Sequence, residues 1–452
     1  MAGDKNPVGQ YEGRWATRPE QVNEGVLFSY YSPGAREVFL SGDFNGWKHG
    51  TLRLTKGHDN VWRIILKPAP KRSYDYKFIV DGSWITDPNN PDLNPDIAGG
   101  ANSIIYIGEK GNLLAPDDPE RHKFTLEGRG IERAVFSSDR YNKNFDLYYV
   151  LPPGYGSEPV PAVICLNNYI KSQEIDTYCR NNGYIGIFPS PDVGGEYIRK
   201  GKLNIFSELL NDVKKRFKID EDRLYVTGMS NGGLEAYLVS LYFPDLIAAS
   251  AVVFGPYRLR YYKDKIGHMS TDDLKRFLAN LEFPQKMLPN LINTPVYISH
   301  GGGDEAVPAD DAIVLHEILE KLGTPVKFNF YPKEGHTWLM VDDDLPNVFE
   351  WFGKYRRNKY PERIYYNAPF GIFKNKIYWA EFMPYEVTQP VWLRIGIAGR
   401  NGIRIESDNI KKITLSPSSE LIKISDKTKI ETGREQAQVE LNTDDNKAVI
   451  TF

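Results

Sequence analysis

The sequence predicts a three-part chain, in which an α/β block on a mostly parallel, doubly wound sheet carries one all-β domain before it and another after it. Three observations support this reading. At 452 residues the chain is too long for one core, given roughly 150 residues per domain. Strand-like runs alternate with helical patterns only in the middle of the chain. The segments on either side show short apolar runs between turn clusters, with no run of helical period among them.

The first block spans 22–107. Its apolar runs are Val26–Tyr31, Glu37–Ser41, Val61–Leu66, Tyr74–Val80 and Ser103–Ile107, separated by Pro33-Gly34, the Asp43–Gly46 turn, Asp81-Gly82 and the stretch Pro88–Pro95. That spacing predicts a β-sandwich. Residues 108–120 are polar, contain Gly and Pro, and read as a linker. Between 121 and 358, strands are expected at Ile131–Ser137, Phe145–Leu151, Pro161–Leu166, Tyr184–Phe188, Arg223–Thr227, Ala248–Val253, Pro295–Ser299 and Val326–Phe330. Helices are expected at Ile205–Phe217, Gly233–Tyr242, Asp310–Leu322 and Leu345–Phe352. The residues between Phe254 and Pro295 form an insertion that reads as a cap or pocket wall, or as a helix packed elsewhere. After Pro361, runs at Ile377–Phe382, Val391–Ile397, Lys411–Leu415, Ala437–Leu441 and Ala448–Phe452 predict a second sandwich over 361–452, to which no chemistry attaches.

Composition removes several classes of function. Lys plus Arg number 56 against 59 Asp plus Glu, a net charge of −3, so no global basic field exists to hold nucleic acid or an anionic membrane. No segment reaches the roughly 18 apolar residues that a membrane helix needs. Met1–Trp15 carries Asp4, Lys5, Glu12 and Arg14 and has no apolar core. The expectation is a cytoplasmic protein for the chain as given, and a secreted or periplasmic one if the chain is processed or trimmed. Cys165 and Cys179, the only cysteines, are too few for a disulfide framework or a structural zinc site. Cys165 lies in an apolar run and reads as a buried free thiol, with a bridge to Cys179 as the alternative. No metal-binding histidine pair or phosphate loop is present, so neither metal nor cofactor is expected. The 13% aromatic content suits β-rich folding and surfaces that stack on sugars.

The sharpest local signal is Gly228-Met229-Ser230-Asn231-Gly232-Gly233, placed between the strand Leu224–Thr227 and a helical pattern. Glycines two residues before and two after a serine permit the strained strand-to-helix turn that presents a nucleophilic hydroxyl. Such a hydroxyl needs a histidine to take its proton and an acid to orient that histidine. Downstream, His300-Gly301-Gly302-Gly303-Asp304 follows one strand and Glu334-Gly335-His336 follows the next. Asp304 and His336 are therefore the candidate acid and base, with Asp310 or Asp311 expected to cap the following helix.

Residues 121–355 resemble the esterase branch of the α/β-hydrolase superfamily, which includes carbohydrate esterase family 1, esterase D and polyhydroxybutyrate depolymerase-like proteins. The resemblance rests on Tyr149–Tyr155, Gly228–Gly233, Asp304–Pro308 and Gly335-His336. It implies an α/β-hydrolase core and acyl transfer through Ser230, His336 and Asp304. One oxyanion donor would be the backbone N–H of Asn231, and the other would come from the loop after Val163–Leu166, at Asn168. Where these families carry His-Gly, this chain has Asn167-Asn168-Tyr169, a departure that bears on hole geometry and substrate choice.

Within the first block, Val38–Trp47, Tyr74–Trp84, Asp87-Pro88 and Asn102 occur in one order. This pattern resembles the glycogen-binding module of carbohydrate-binding family 48. The resemblance implies that Trp47 and Trp84 stack on glucose rings while Lys77 and Asn102 bond hydroxyls, with an α-glucan as partner. The alternative is a docking domain in which Trp47 plugs the sandwich. The combined expectation is a serine carboxylesterase acting on feruloyl or acetyl esters, with a carbohydrate ester on or near a polysaccharide as substrate. A prolyl-oligopeptidase-like peptidase and a non-catalytic glucan-binding scaffold are the alternatives.

Overall fold

The computed structural model describes residues 8–95, 100–167, 172, 174–369, 374–433 and 437–452. The N-terminal sandwich packs a four-stranded sheet (Glu20–Val22, Gly25–Tyr31, Val61–Leu66, Thr55–Lys56) on a six-stranded one. In the latter, Val38–Gly42, Arg72–Val80 and Ala101–Ile107 lie side by side, and Ser83–Ile85 pairs back onto Arg72–Val80. Alternate residues point inward, so Phe28, Leu40, Tyr74, Tyr76, Phe78 and Ile105 fill the core.

The stretch 108–120 is not a loose tether. Leu114 is buried, and its N–H donates to the Tyr106 carbonyl at 2.8 Å. The Glu120 carboxylate accepts the Glu109 N–H at 2.8 Å. Covering one leucine folds the supposed linker back onto the sandwich.

The α/β block has eight strands: β1 (Glu132–Ser138), β2 (Lys143–Val150), β3 (Val160–Leu166), β4 (Ile185–Pro189), β5 (Ile219–Met229), β6 (Ala249–Val253), β7 (Val296–Gly301) and β8 (Val326–Tyr331). They align in the order β1-β2-β4-β3-β5-β6-β7-β8, with β2 antiparallel to both neighbours and the other pairings parallel. The helices are α1 (Ile175–Asn181), α2 (Asn204–Arg216), α3 (Asn231–Tyr242), α4 (Lys263–Ile266), α5 (Thr271–Ala279), α6 (Asp310–Leu322) and α7 (Trp338–Gly353).

Successive strand residues enter opposite layers. Ala162, Ile164 and Leu166 pack with α2, α3 and α6, whereas Val163 and Cys165 pack with α1 and α7. Cys165 and Cys179 are both buried and free, so no bridge forms between them. The insertion forms α4, α5 and short 3₁₀ turns. Asp311 does not cap α6 as expected. Its buried carboxylate accepts the N–H groups of Arg258, Leu259 and Arg260 at 3.1, 2.8 and 2.7 Å, which fixes the start of the insertion.

The C-terminal block packs a four-stranded sheet on a five-stranded one, around Ile364, Tyr366, Trp379, Phe382, Leu393 and Ile413. It docks on the α/β block through buried Asn290, whose amide donates to the carbonyls of Leu241 and Asn367 at 3.0 and 2.9 Å.

Candidate active site

Ser230 follows β5 and is the N-cap of α3, with φ 57° and ψ −121°. A non-glycine residue in this conformation is strained, and the strain presents its side chain at the strand-to-helix turn. Two glycines make the turn compact. A Cβ on Gly228 would stand 2.1 Å from the Gly232 carbonyl oxygen, and one on Gly232 would stand 2.6 Å from that of Leu166. The Ser230 N–H donates to Val253 O on β6 at 2.9 Å. Because α3 begins at Asn231, the N–H groups of its first turn have no intrahelical acceptor and carry the positive end of the helix dipole.

The Asp304 and His336 loops follow β7 and β8 and are stitched together. Gly302 N–H donates to Tyr331 O at 2.8 Å and Gly303 N–H to Glu334 O at 2.9 Å. His336 Nδ1–H donates to Asp304 Oδ2 at 2.7 Å. The other Asp304 oxygen accepts the N–H groups of Ala306 and Val307 at 2.9 and 2.8 Å, so the carboxylate is buried yet fully hydrogen-bonded. With Nδ1 engaged, Nε2 is the nitrogen of His336 left for proton transfer. The Phe254 ring, one residue beyond Val253, stands 5.2 Å from the His336 ring. This aromatic contact joins the end of β6, whose Val253 carbonyl holds the Ser230 N–H, to the histidine.

The structure therefore brings Ser230, Asp304 and His336 to the C-terminal edges of β5, β7 and β8. Asn168 lies outside the described residues. Trp47 and Trp84 lie side by side, their rings 6.1 Å apart at 36°. Trp84 is 46% exposed, and the Trp47 indole N–H donates to Asp43 Oδ1 at 2.9 Å. Trp47 is only partly covered and so does not plug the core. Lys77 pairs across from Ser41, on the same face of its strand as Asp75. Asn102 is buried, and its amide donates to Asp75 Oδ2 at 3.2 Å rather than standing free toward solvent.

Sequence reasoning assigned no role to two residues beside this site, nor to a buried glutamate further along α3. His300 is buried. Its Nε2–H donates to Val307 O at 2.9 Å, and Nε2 lies 3.5 Å from Asp304 Oδ2. Burial lowers its pKa, against the raising influence of its bond to Val307 O and of the Asp304 charge. Phe254 touches both histidine rings. Glu235, five residues after Ser230 on α3, is fully buried and pushed up to about 8 by burial, against the lowering influence of Arg199. No periodic or motif signal marks a lone glutamate on a helix; only its burial identifies it.

An elbow serine and a paired Asp and His at neighbouring strand edges of this sheet define the class of molecule, a serine hydrolase of α/β fold with flanking β domains. Residues 202–358 match the prolyl oligopeptidase family, and residues 16–94 match carbohydrate-binding module 48 (isoamylase N-terminal domain). The 5'-AMP-activated protein kinase subunit beta-1 of Sus scrofa is 39% identical over 77 residues, 17% of this chain and 59% of that protein. Subunit beta-2 of Homo sapiens is 32% identical over 108 residues, 24% of this chain and 38% of that protein. In both cases the chain spans less than two thirds of the relative. Among solved structures, the enterochelin esterase of Shigella flexneri is similar at a TM-score of 0.50 and 15% identity, with 77% of this chain and 98% of that one covered. That share exceeds what the α/β block alone holds, so the common fold includes flanking β structure.

Proposed function

We propose that the chain is a serine carboxylesterase that hydrolyses acyl esters, of the feruloyl or acetyl type, carried on or beside a polysaccharide. The observation that carries this reading is the strained Ser230 at one sheet edge with the 2.7 Å His336–Asp304 pair. Ser230 Oγ attacks the ester carbonyl as His336 Nε2 takes its proton, and Asp304 holds Nδ1–H and balances the imidazolium. The Asn231 N–H, on the dipole of α3, and a donor from the loop after β3 receive the oxyanion. Collapse returns the proton to the leaving alcohol, and water then releases the acyl group by the same path in reverse. The Trp47–Trp84 pair offers apolar ring faces to a glucan, with Asp75 and Lys77 beside it on the same sheet.

Hydrolysis of p-nitrophenyl acetate and methyl ferulate tests the reading. Both activities should fall by at least roughly 10³-fold in Ser230→Ala. Activity retained in that variant would remove Ser230 from the chemistry. A second reading, a prolyl peptidase, is favoured by the family matched over 202–358, although the described residues form no propeller. Cleavage of a prolyl anilide without cleavage of any ester would establish it instead.

A further inference from the structure

The sandwich turn that carries Trp47 also touches the loops that carry Asp304 and His336. Gly46 has φ +68°, and a Cβ there would stand 3.0 Å from Thr337 Cγ2 and 3.5 Å from Gly335 Cα. Conversely, a Cβ on Gly335 would stand 3.3 Å from both Gly46 O and Lys48 Cε. The Lys48 ammonium donates to Lys333 O at 3.2 Å, and a Cβ on Gly303 would lie 2.7 Å from its Nζ. One cation of the sandwich thus stands against the acid loop at the residue before Asp304 and against the base loop three residues before His336.

The turn is braced for this contact. The Lys48 carbonyl accepts from Asn45 Nδ2 at 3.0 Å, from Thr51 Oγ1 at 3.3 Å and from Ser41 Oγ at 3.4 Å. Asp43 ties Trp47 to the Asp75 N–H of the neighbouring strand, at 2.9 and 2.8 Å. Beyond the histidine, Arg72 of the sandwich forms an ion pair with Asp342 of α7, and both side chains are largely buried. The base loop is therefore held by the sandwich on both sides of His336.

We infer that Lys48 is a positioning residue of the hydrolase, its ammonium clamping the Asp304 and His336 loops in the register that keeps the acid on the base. This inference rests on the acyl-transfer reading above. A hydrogen bond from a charged donor is stronger than one from a neutral donor. The contact is exposed, and about tenfold in kcat is the effect to look for. A residue that acts only by holding the two loops leaves ground-state binding of a small ester alone, so KM should stay within about twofold.

The test compares the full chain with Lys48→Met, Lys48→Gln and Lys48→Arg, using p-nitrophenyl acetate kinetics and amide hydrogen exchange of residues 301–304 and 333–337. Expected are a tenfold fall in kcat for Met and Gln, recovery in Arg, and faster exchange in both segments for Met and Gln only. Parental kcat in Lys48→Met, or a fall in kcat with unchanged exchange, overturns the inference. If the parent shows no Ser230-dependent esterase activity, the acyl-transfer reading fails, and exchange alone then decides whether Lys48 holds the two loops.

Discussion

Replacing Glu235 with Gln should change how stability depends on pH. The carboxyl is fully buried. A Cβ on Gly194 would fall 1.9 Å from one of its oxygens, and Arg199 Nε is 3.0 Å from the other. Among the described residues neither oxygen has a well-formed hydrogen bond, which is why burial outweighs Arg199 and moves the pKa from 4.5 to about 8. The folded state then keeps its proton between those values while the unfolded chain has released it. The native state binds more protons across that window, so stability falls as pH rises from 4.5 to 8 and is level above and below. At about 1.4 kcal/mol per pH unit, the accumulated loss is up to about 5 kcal/mol. Gln mimics the protonated form at every pH. Any fixed cost of its amide cancels when the two proteins are compared at pH 5 and pH 9. For a block of this size, about 2–4 °C of Tm accompanies each kcal/mol, so the two Tm profiles should diverge by on the order of 10 °C, with the variant favoured at the alkaline end. Differential scanning calorimetry measures this, and profiles that run parallel from pH 5 to 9 would refute the reasoning.

Two further outcomes follow from the site and the sandwich. Asp304→Asn should preserve the fold but lower kcat on p-nitrophenyl butyrate by roughly 10³- to 10⁴-fold, because an amide at this position favours the wrong tautomer of His336; a loss under tenfold would mean that another group orients the histidine. Trp47→Ala together with Trp84→Ala should abolish retention on a glycogen affinity gel while leaving p-nitrophenyl acetate hydrolysis measurable, and unchanged retention would separate the paired rings from sugar binding.

Most of the sheet was legible because its strands are nearly continuous apolar runs, as in Ala162–Leu166 and Ala249–Val253, where both faces are buried. The candidate triad was legible because glycines and turn residues mark the strand edges where it sits. The beginning of α7 was not. It starts at Trp338, but the three aspartates at 342–344 break the helical period, and expectation placed its start only at Leu345. Asp342 is buried against Arg72 and Ser172, and Asp344 accepts from Tyr297, Tyr331 and Asn329 at 2.7, 2.6 and 2.8 Å. A carboxylate buried by distant partners reads in sequence as a surface residue. The same limit hid Asp311, Glu235 and the contact of Lys48 with Lys333, whose partners are separated by 285 positions.

That turn also ties the tryptophan pair to the loop that carries His336. Gly46 at φ +68° and Trp47 at φ +58° are both left-handed, and the residues of the turn meet different partners. Gly46 faces Thr337, Trp47 faces Trp84, and Lys48 faces Lys333. For Trp47 this conformation costs about 1–2 kcal/mol, which the Asp43 bond to its indole helps to offset. The strain places the aromatic pair on the same short turn that abuts the His336 loop. Trp47 adjoins Gly46, Gly46 lies against Gly335, and Gly335 adjoins His336. At about 3.8 Å per Cα step, plus the Gly46–Gly335 contact, the Cα atoms of Trp47 and His336 are no more than about 13 Å apart. The tryptophan pair therefore stands close to the loop that carries the proposed base.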